Sequence, residues 1–301
     1  MDRPALTIQL CTYKRAHLLG RVLRGCFEQS CREYEVVLVN DGSPDTTEEV
    51  IADAKAKAPV PFTVISQANA GLARARNVGI AHARGERIAF IDDDVLPMPN
   101  FVEEHLRTGR ERPEAIVRGA VIMTESLERL PQPLPSLKDY SGNFFWTSNV
   151  SIPLATLHRV GLFNESFQEY GWEDIELGLR LRFSGVRGSF NPRAIAFHYK
   201  PPLIARGVES LIAQARAQAR TAITLSALHP HWRVALATGD DPLRRALHHL
   251  RSRLNGASSR REALAALPPD QLLTPREARM ARALAKAAYY DELMEARRRA
   301  A

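Results

Sequence analysis

Three aspartates in a row, Asp92, Asp93 and Asp94, follow the apolar run from Ile88 to Ile91 directly. Adjacent carboxylates raise one another's pKa unless a cation, a proton or wide solvent exposure offsets them. A divalent ion is the most economical offset. Magnesium and manganese take oxygen ligands, commonly one or two carboxylates, and complete the shell with water and phosphate oxygens. Asp92 and Asp94, one residue apart, can both face a metal-bound diphosphate where the strand ends. The plainer alternative is an acidic loop whose aspartate caps a helix expected over residues 99–106.

A second acidic pair, Glu173 and Asp174 in GWED, opens a helical pattern. A carboxylate within hydrogen-bond reach of a hydroxyl can take its proton as the oxygen attacks an electrophile. Acidic residues also simply favour the first turn of a helix, which lowers their pKa unless burial, here near Trp172, opposes it. The stretch QANAGLARARNVG brings Asn69, Gly71, Arg74, Arg76 and Asn77 to a strand end and helix start. Amide donors and the helix dipole favour anions there, although a lone arginine is more often solvated. NDGSPD, residues 40–45, reads equally well as a turn before a helix cap. His198 in AIAFHYK is a metal ligand or a structural histidine. Trp146 and Trp172 either stack on sugar faces or fill the core.

These residues need a scaffold, and the spacing of apolar positions supplies one. Strand-like runs at residues 6–10, 36–39, 62–65 and 88–91 alternate with amphipathic helical stretches, which predicts a parallel sheet flanked by helices. Ligands bind beyond the carboxyl ends of such strands, where CTYKR, NDGS and DDD all fall. Residues 115–200 are less regular, with the strand-like AIVRGAVI, the loop PQPLPSLK, NFFWTSNVSI and the helix at GWED, and complete the same domain. Beyond Pro201 the composition shifts to Ala, Leu and Arg, with helices expected over 208–228, 242–254 and 275–298. The expected division is a catalytic domain over 1–200 and a helical extension over 201–301.

The 301-residue chain, 45% hydrophobic, is long enough for a sizeable core. No apolar run approaches the roughly 18 residues of a membrane span, and MDRPALTIQL lacks a secretory pattern, so a cytoplasmic protein is expected. Cys11, Cys26 and Cys31 have no histidines at zinc-ligand spacing and read as reduced and structural. The formal charge of +7 suits nucleic acid, a membrane surface or a phosphorylated small molecule.

Taken in order, TIQLCTYKR, VVLVNDGSPDTT, NAGLARARNVGIAHARGERIAFIDDD and GWEDIELGLRL resemble the nucleotide-sugar glycosyltransferases of the GT-A fold, in particular the inverting group called family 2, over residues 5–200. The resemblance implies an α/β fold of GT-A type, with a Rossmann-like, mixed but mostly parallel sheet flanked by helices. It implies that Thr12, Tyr13 and Arg15 lie beside the nucleotide and that Asp41 contacts the base or ribose. Asn69, Gly71, Arg74 and Asn77 would line the donor site. Asp92, Asp93 and Asp94 would form the DXD-type element, with Asp92 near the ribose or sugar and Asp94 the foremost ligand of Mn2+ or Mg2+. Some relatives add a histidine ligand at the position of His198. The aspartate of the ED pair, Asp174, would be the general base, with Glu173 next in line. The implied reaction is inverting transfer of a hexose from a nucleotide-sugar donor, UDP-sugar first, to the hydroxyl of a saccharide, a lipid-linked molecule or another acceptor.

Other classes fit less well. A sugar-phosphate nucleotidyltransferase would carry a Gly-rich entry with GTR after the first strand, and a P-loop ATPase would carry G-x-x-x-x-G-K-[ST]; both are missing. Nucleic-acid binding would explain the charge and the arginine-rich tail but not DDD or GWED, so no nucleic-acid partner is expected. A scaffold without catalysis would not need every motif position filled. The acceptor is left to residues 124–145 and the tail, which carry no readable motif. RRALHHLRSRL and MEARRRA suit acceptor docking, a homodimer or peripheral contact with the inner face of a membrane, against the plainer reading of a solvated helix face.

Overall fold

The computed structural model describes residues 3–254 and 257–300. The chain divides into two units, Met1–Gln168 with Glu173–Pro201, and Glu169–Trp172 with Pro202–Ala301.

The first unit is built on β1 (Leu6–Thr12), β2 (Tyr34–Asn40), β3 (Phe62–Ser66) and β4 (Arg87–Phe90), all parallel and ordered β3-β2-β1-β4. Every residue of β2 is buried. Parallel strands covered on both faces need near-continuous apolar, β-branched sequence, which is why YEVVLVN and LTIQLCT are legible as strands. Helices α1 (Ala16–Phe27), α2 (Thr47–Lys57) and α3 (Leu72–His82) return the chain between them. In α1, Leu18, Leu19, Val22, Leu23 and Cys26 recur at helical spacing and pack into the core.

The chain then forms β5 (Val95–Pro97), α4 (Phe101–Glu111), β6 (Ile116–Thr124), β7 (Val150–Pro153), α5 (Leu154–Val160), α6 (Glu173–Phe183) and β8 (Gly188–Tyr199). The eight-stranded sheet continues from β4 as β7-β6-β8-β5. Strand β7 is antiparallel to both β4 and β6, and β8 is parallel to β6. Two reversals restore the direction. The carboxyl ends of β1, β2, β4, β6 and β8 therefore share one edge. Strand β5 runs back along β8 with Val95 opposite His198, which sets Asp94 beside the end of β8.

A bulge at Gly119/Ala120 is pinned by Asn149, whose Nδ2 donates to Ala120 O and Ala194 O at 2.9 Å each. A side chain at 119 would overlap Ala194 O and the Asn149 amide, so only glycine fits. His105 lies 2.9 Å from Asn149 Oδ1, and burial pushes its pKa down to about 4, so it stays neutral. This pin fixes the start of β7, and with it Thr147 and Ser148.

The second unit contains α7 (Gly207–Leu228), α8 (Trp232–Thr238), α9 (Pro242–Leu254), α10 (Ala257–Ala265) and α11 (Pro275–Ala300). Val208 and Ile212 of α7 share a core cluster with Ala281, Leu284, Ala285 and Ala288 of α11. Thr274 and Glu277 close a capping box at the start of α11. The loop residues 169–172 are held by α7: Arg220 pairs with Glu169 at 2.7 Å, Thr221 Oγ1 donates to Tyr170 O, and the Trp172 indole donates to Gln218 O at 2.8 Å.

Candidate active site

Each aspartate of the triplet has its own environment. Asp92 accepts from Arg76 Nη2 at 3.0 Å and from Ser148 Oγ at 2.7 Å. Asp93 accepts from Thr12 Oγ1 at 2.8 Å, and burial pushes its pKa up to about 7. Asp94 Oδ1 lies 3.2 Å from His198 Nε2, with Arg15 and Lys200 at 3.8 and 4.0 Å from Oδ2. Burial works against its charge, but the hydrogen bond and charge of His198, then Lys200 and Arg15, outweigh it and lower its pKa. Three adjacent carboxylates are tolerable because the sheet edge hands them to three different sets of donors.

Arg76 joins this edge to GWED. Its Nη1 donates to Glu173 Oε1 at 2.6 Å and its Nη2 to Asp92 and to Thr147 Oγ1, the latter at 2.7 Å. The Phe163 ring lies 5.2 Å from the guanidinium carbon. Burial opposes the charge of Arg76, but Glu173 and Asp92 outweigh it and hold the guanidinium ionised. Asp174 is half-buried, with Oδ1 accepting from Ile175 N at 2.7 Å. Burial first, and the Glu173 charge second, push its pKa up to about 7, while Arg76 opposes the rise.

On the neighbouring strands, Tyr13 is 41% exposed with Lys14 Nζ 4.9 Å from its ring centre. Lys14 has φ +57°, a backbone region that favours glycine, and its N–H donates to Ser43 Oγ. Arg15 is half-exposed beside Asp94. Asp41 is buried and accepts from Gln67 Nε2 and from the N–H groups of Ala70 and Gly71, while Asn69 Nδ2 donates to Asp41 O. Both side chains fasten the β3–α3 loop to the end of β2. Gly71, at φ +89°, is the turn that starts α3. Asn77 uses both ends of its amide on residues 163–165, donating to Phe163 O and Glu165 and accepting from Phe163 N. It holds that loop. Arg74 is exposed and has no ion pair among the described residues.

Asp92, expected as a second metal ligand, has a protein partner on each oxygen. Asp94 and His198 fit the part better. The buried Nδ1 of His198 has no partner among the described residues, while Nε2 faces a carboxylate. Nε2 of His198 and Oδ1 of Asp94 face each other at 3.2 Å, so a single ion could take both in place of the hydrogen bond between them, and the lowered pKa keeps Asp94 in its ligating form. Among the described residues no three His, Cys, Asp or Glu side chains form a metal cluster. A site of one or two protein ligands, completed by water and phosphate oxygens, is what a hard divalent ion takes.

Trp146 is half-buried, its ring 6.2 Å from that of His198. Trp172, expected as a second acceptor platform, packs against Ala219, Ala222, Tyr290 and Leu293 of the helical unit and has φ +73°, a strained value for a bulky residue. Its indole N–H is bonded to Gln218 O. Spacing could have found Arg76: it stands three residues after Ala73 and four before Ile80, the inward stripe of α3. Thr147 and Ser148 carry no signal beyond being polar before an apolar run.

The family model of glycosyl transferase family 2 matches residues 7–169, more than half of the chain. A validoxylamine A glucosyltransferase from Streptomyces hygroscopicus subsp. jinggangensis (strain 5008) is 30% identical over 221 residues, covering 61% of this chain and 52% of that protein. A chondroitin synthase from Escherichia coli is 26% identical over 239 residues, 65% of this chain and 35% of that protein. The chain thus spans about half the length of the glucosyltransferase. Among solved structures, the mannosyltransferase PcManGT from Pyrobaculum calidifontis, in complex with GDP-Man and Mn2+, superposes with a TM-score of 0.62 at 21% identity, covering 98% of this chain and 88% of that one. S. aureus TarS 1-349 in complex with UDP gives 0.55 at 16% identity, covering 97% and 91%. At these identities the likeness to solved structures is one of fold. The sheet and its following helices are those of a GT-A protein, and a family match over that much of the sheet settles the membership: this chain belongs to glycosyl transferase family 2.

Proposed function

We propose that the chain transfers a hexose from a nucleotide sugar, UDP-sugar first, to an acceptor hydroxyl with inversion at the anomeric carbon, using a divalent ion and Asp174 as base. The Arg76 bridge carries this reading, because at 3.0 Å from Asp92 and 2.6 Å from Glu173 it ties the strand-end carboxylates to the turn that presents Asp174. Donor chemistry in solved proteins of this fold supports it: PcManGT was captured with GDP-Man and Mn2+, and TarS with UDP.

Asp94 and His198 would hold Mn2+ or Mg2+. When bound, such an ion neutralises the charge that develops on a departing diphosphate. Arg15 and Lys200 border this position and offer two cations to the nucleotide, and the exposed ring of Tyr13 is a further surface for it. Arg74, solvated on the first turn of α3, is a further cation for the donor. Oδ2 of Asp174 is open to take the proton of the acceptor hydroxyl as its oxygen attacks from the side opposite the leaving group, which inverts the centre. Trp146 offers a face for the acceptor or donor sugar.

Calorimetry with UDP and with GDP tests the ion. Binding is expected to be tighter with manganese than with chelator, and Asp94→Asn should remove most of that difference. Loss of a direct ligand should cost at least the roughly 10–100-fold seen for outer-shell partners. His198→Ala should weaken metal-dependent binding with little change in melting temperature. Equal affinity in manganese and chelator would remove the ion from the proposal, and a His198→Ala protein that binds normally but melts early would make His198 a packing residue.

A further inference from the structure

Helix α9 is turned the wrong way round for a helix that only packs on its own protein. A surface helix ordinarily buries its apolar stripe and gives its polar face to water. Here the polar side faces the protein: His248 stacks on Tyr290 with ring centres 5.2 Å apart and bonds Asp291 at 2.8 Å, and Arg245 pairs with Asp240 at 2.5 Å. The leucines face out. Leu243, Leu247 and Leu250 are 68%, 42% and 58% exposed, and at 100° per residue they fall within about 60° of one another, a single stripe. On α8, Trp232 and Leu236, four residues apart, are 63% and 45% exposed. Trp232 and Pro242, the first residue of α9, line one cavity of about 370 Å3, so the two apolar stretches are neighbours.

The rim of this patch is cationic. Arg233 lies over the Trp232 ring at 5.2 Å, and Arg244 flanks the leucine stripe. Asp240 is turned to Arg245 and Arg297 and Asp241 to Arg244, so Arg233 is a rim cation with no carboxylate partner among the described residues. A twofold contact with a second copy would set arginines against arginines. An apolar stripe with an aromatic anchor and a basic rim instead matches a bilayer whose headgroups are anionic, with leucines entering the acyl boundary and arginines meeting phosphates. No helix among the described residues is long and apolar enough to cross a membrane, so contact would be from one side.

We infer that α8 and α9 form a docking surface for an anionic lipid bilayer, Trp232, Leu236, Leu243, Leu247 and Leu250 inserting and the arginines steering. Docking there does not depend on the transfer chemistry. Flotation of the full chain with phosphatidylcholine vesicles containing about one third phosphatidylglycerol, beside vesicles of phosphatidylcholine alone, provides the test. The expected result is a bound fraction on the anionic vesicles at low salt that falls as salt screens the rim. Leu243→Asp with Leu247→Asp should cut it by at least about tenfold, given the burial of two leucine side chains. Trp232→Ala should cut it less. These side chains are solvent-facing, so circular dichroism should be unchanged, and nucleoside diphosphate release without vesicles, measured on the same samples, reports separately on the transferase reading. No flotation at low salt, or a double variant that floats like the wild type, would overturn the proposal. So would a dimer in light scattering that these substitutions split, without flotation, because the occupant would then be a second copy.

Discussion

Asp174→Asn is expected to lower sugar transfer by at least about 100-fold while leaving donor binding nearly intact, the pattern of a lost general base. Glu173 cannot easily take over, because Arg76 holds one of its oxygens at 2.6 Å. Asp174 is placed differently: one oxygen accepts from Ile175 N, the other has no hydrogen-bond partner among the described residues, and its pKa of about 7 matches a base that works near neutrality. Since only the ionised form accepts a proton, transfer should rise with pH through about 7 and then level. Stability should respond in the opposite sense. The folded pKa is raised above the ordinary carboxylate value of about 4, so the contribution of neutral Asp174 is fully present below about pH 4 and lost as pH rises to about 7. Wild-type stability relative to Asp174→Asn should therefore decline across that window and stay flat above it. Thermal melts of both proteins between pH 4 and 8 give this comparison. Near-normal turnover by Asp174→Asn would pass the role of base to Glu173.

Arg76→Met should destabilise the first unit by about 3–5 kcal/mol, the cost of removing one partner from a buried ion pair. Arg76 is 4% exposed and bridges Asp92, Glu173 and Thr147, which come from three separate stretches of chain. Without it, two carboxylates lose their common cation. Transfer should fall as well, because the turn carrying Asp174 is no longer tied to the strand-end aspartates. Arg76→Lys keeps the charge but cannot reproduce the forked geometry, so an intermediate loss is expected. A methionine variant that melts with the wild type would show that the bridge contributes little beyond what its surroundings already fix.

The first four strands were legible because parallel strands buried on both faces must be apolar along their whole length, and LTIQLCT and YEVVLVN have few other uses. Strand β5 was not legible. Val95–Pro97 is three residues long and becomes a strand only by pairing with β8, about a hundred residues later, so the sequence ran DDD into a loop and then a helix. The triplet and GWED pointed to the right edge by residue type, yet their division of labour depends on partners that no local pattern reveals: Ser148 for Asp92, Thr12 for Asp93 and His198 for Asp94. Asp41, Asn69 and Asn77 show a further limit: their residue types marked the loops of the site, but not the backbone groups that these side chains satisfy. In α9 the helical pattern was plain, but periodicity says only that two faces differ, not which of them the protein keeps for itself.

Release of nucleoside diphosphate from a panel of UDP- and GDP-sugars, with manganese and with chelator, is the decisive measurement for the transferase reading. The expected result is release from one donor or a few, dependent on the ion and lost in Asp94→Asn, with Asp174→Asn still binding that donor. No release from any nucleotide sugar in either condition, from a protein shown to be folded, would contradict it.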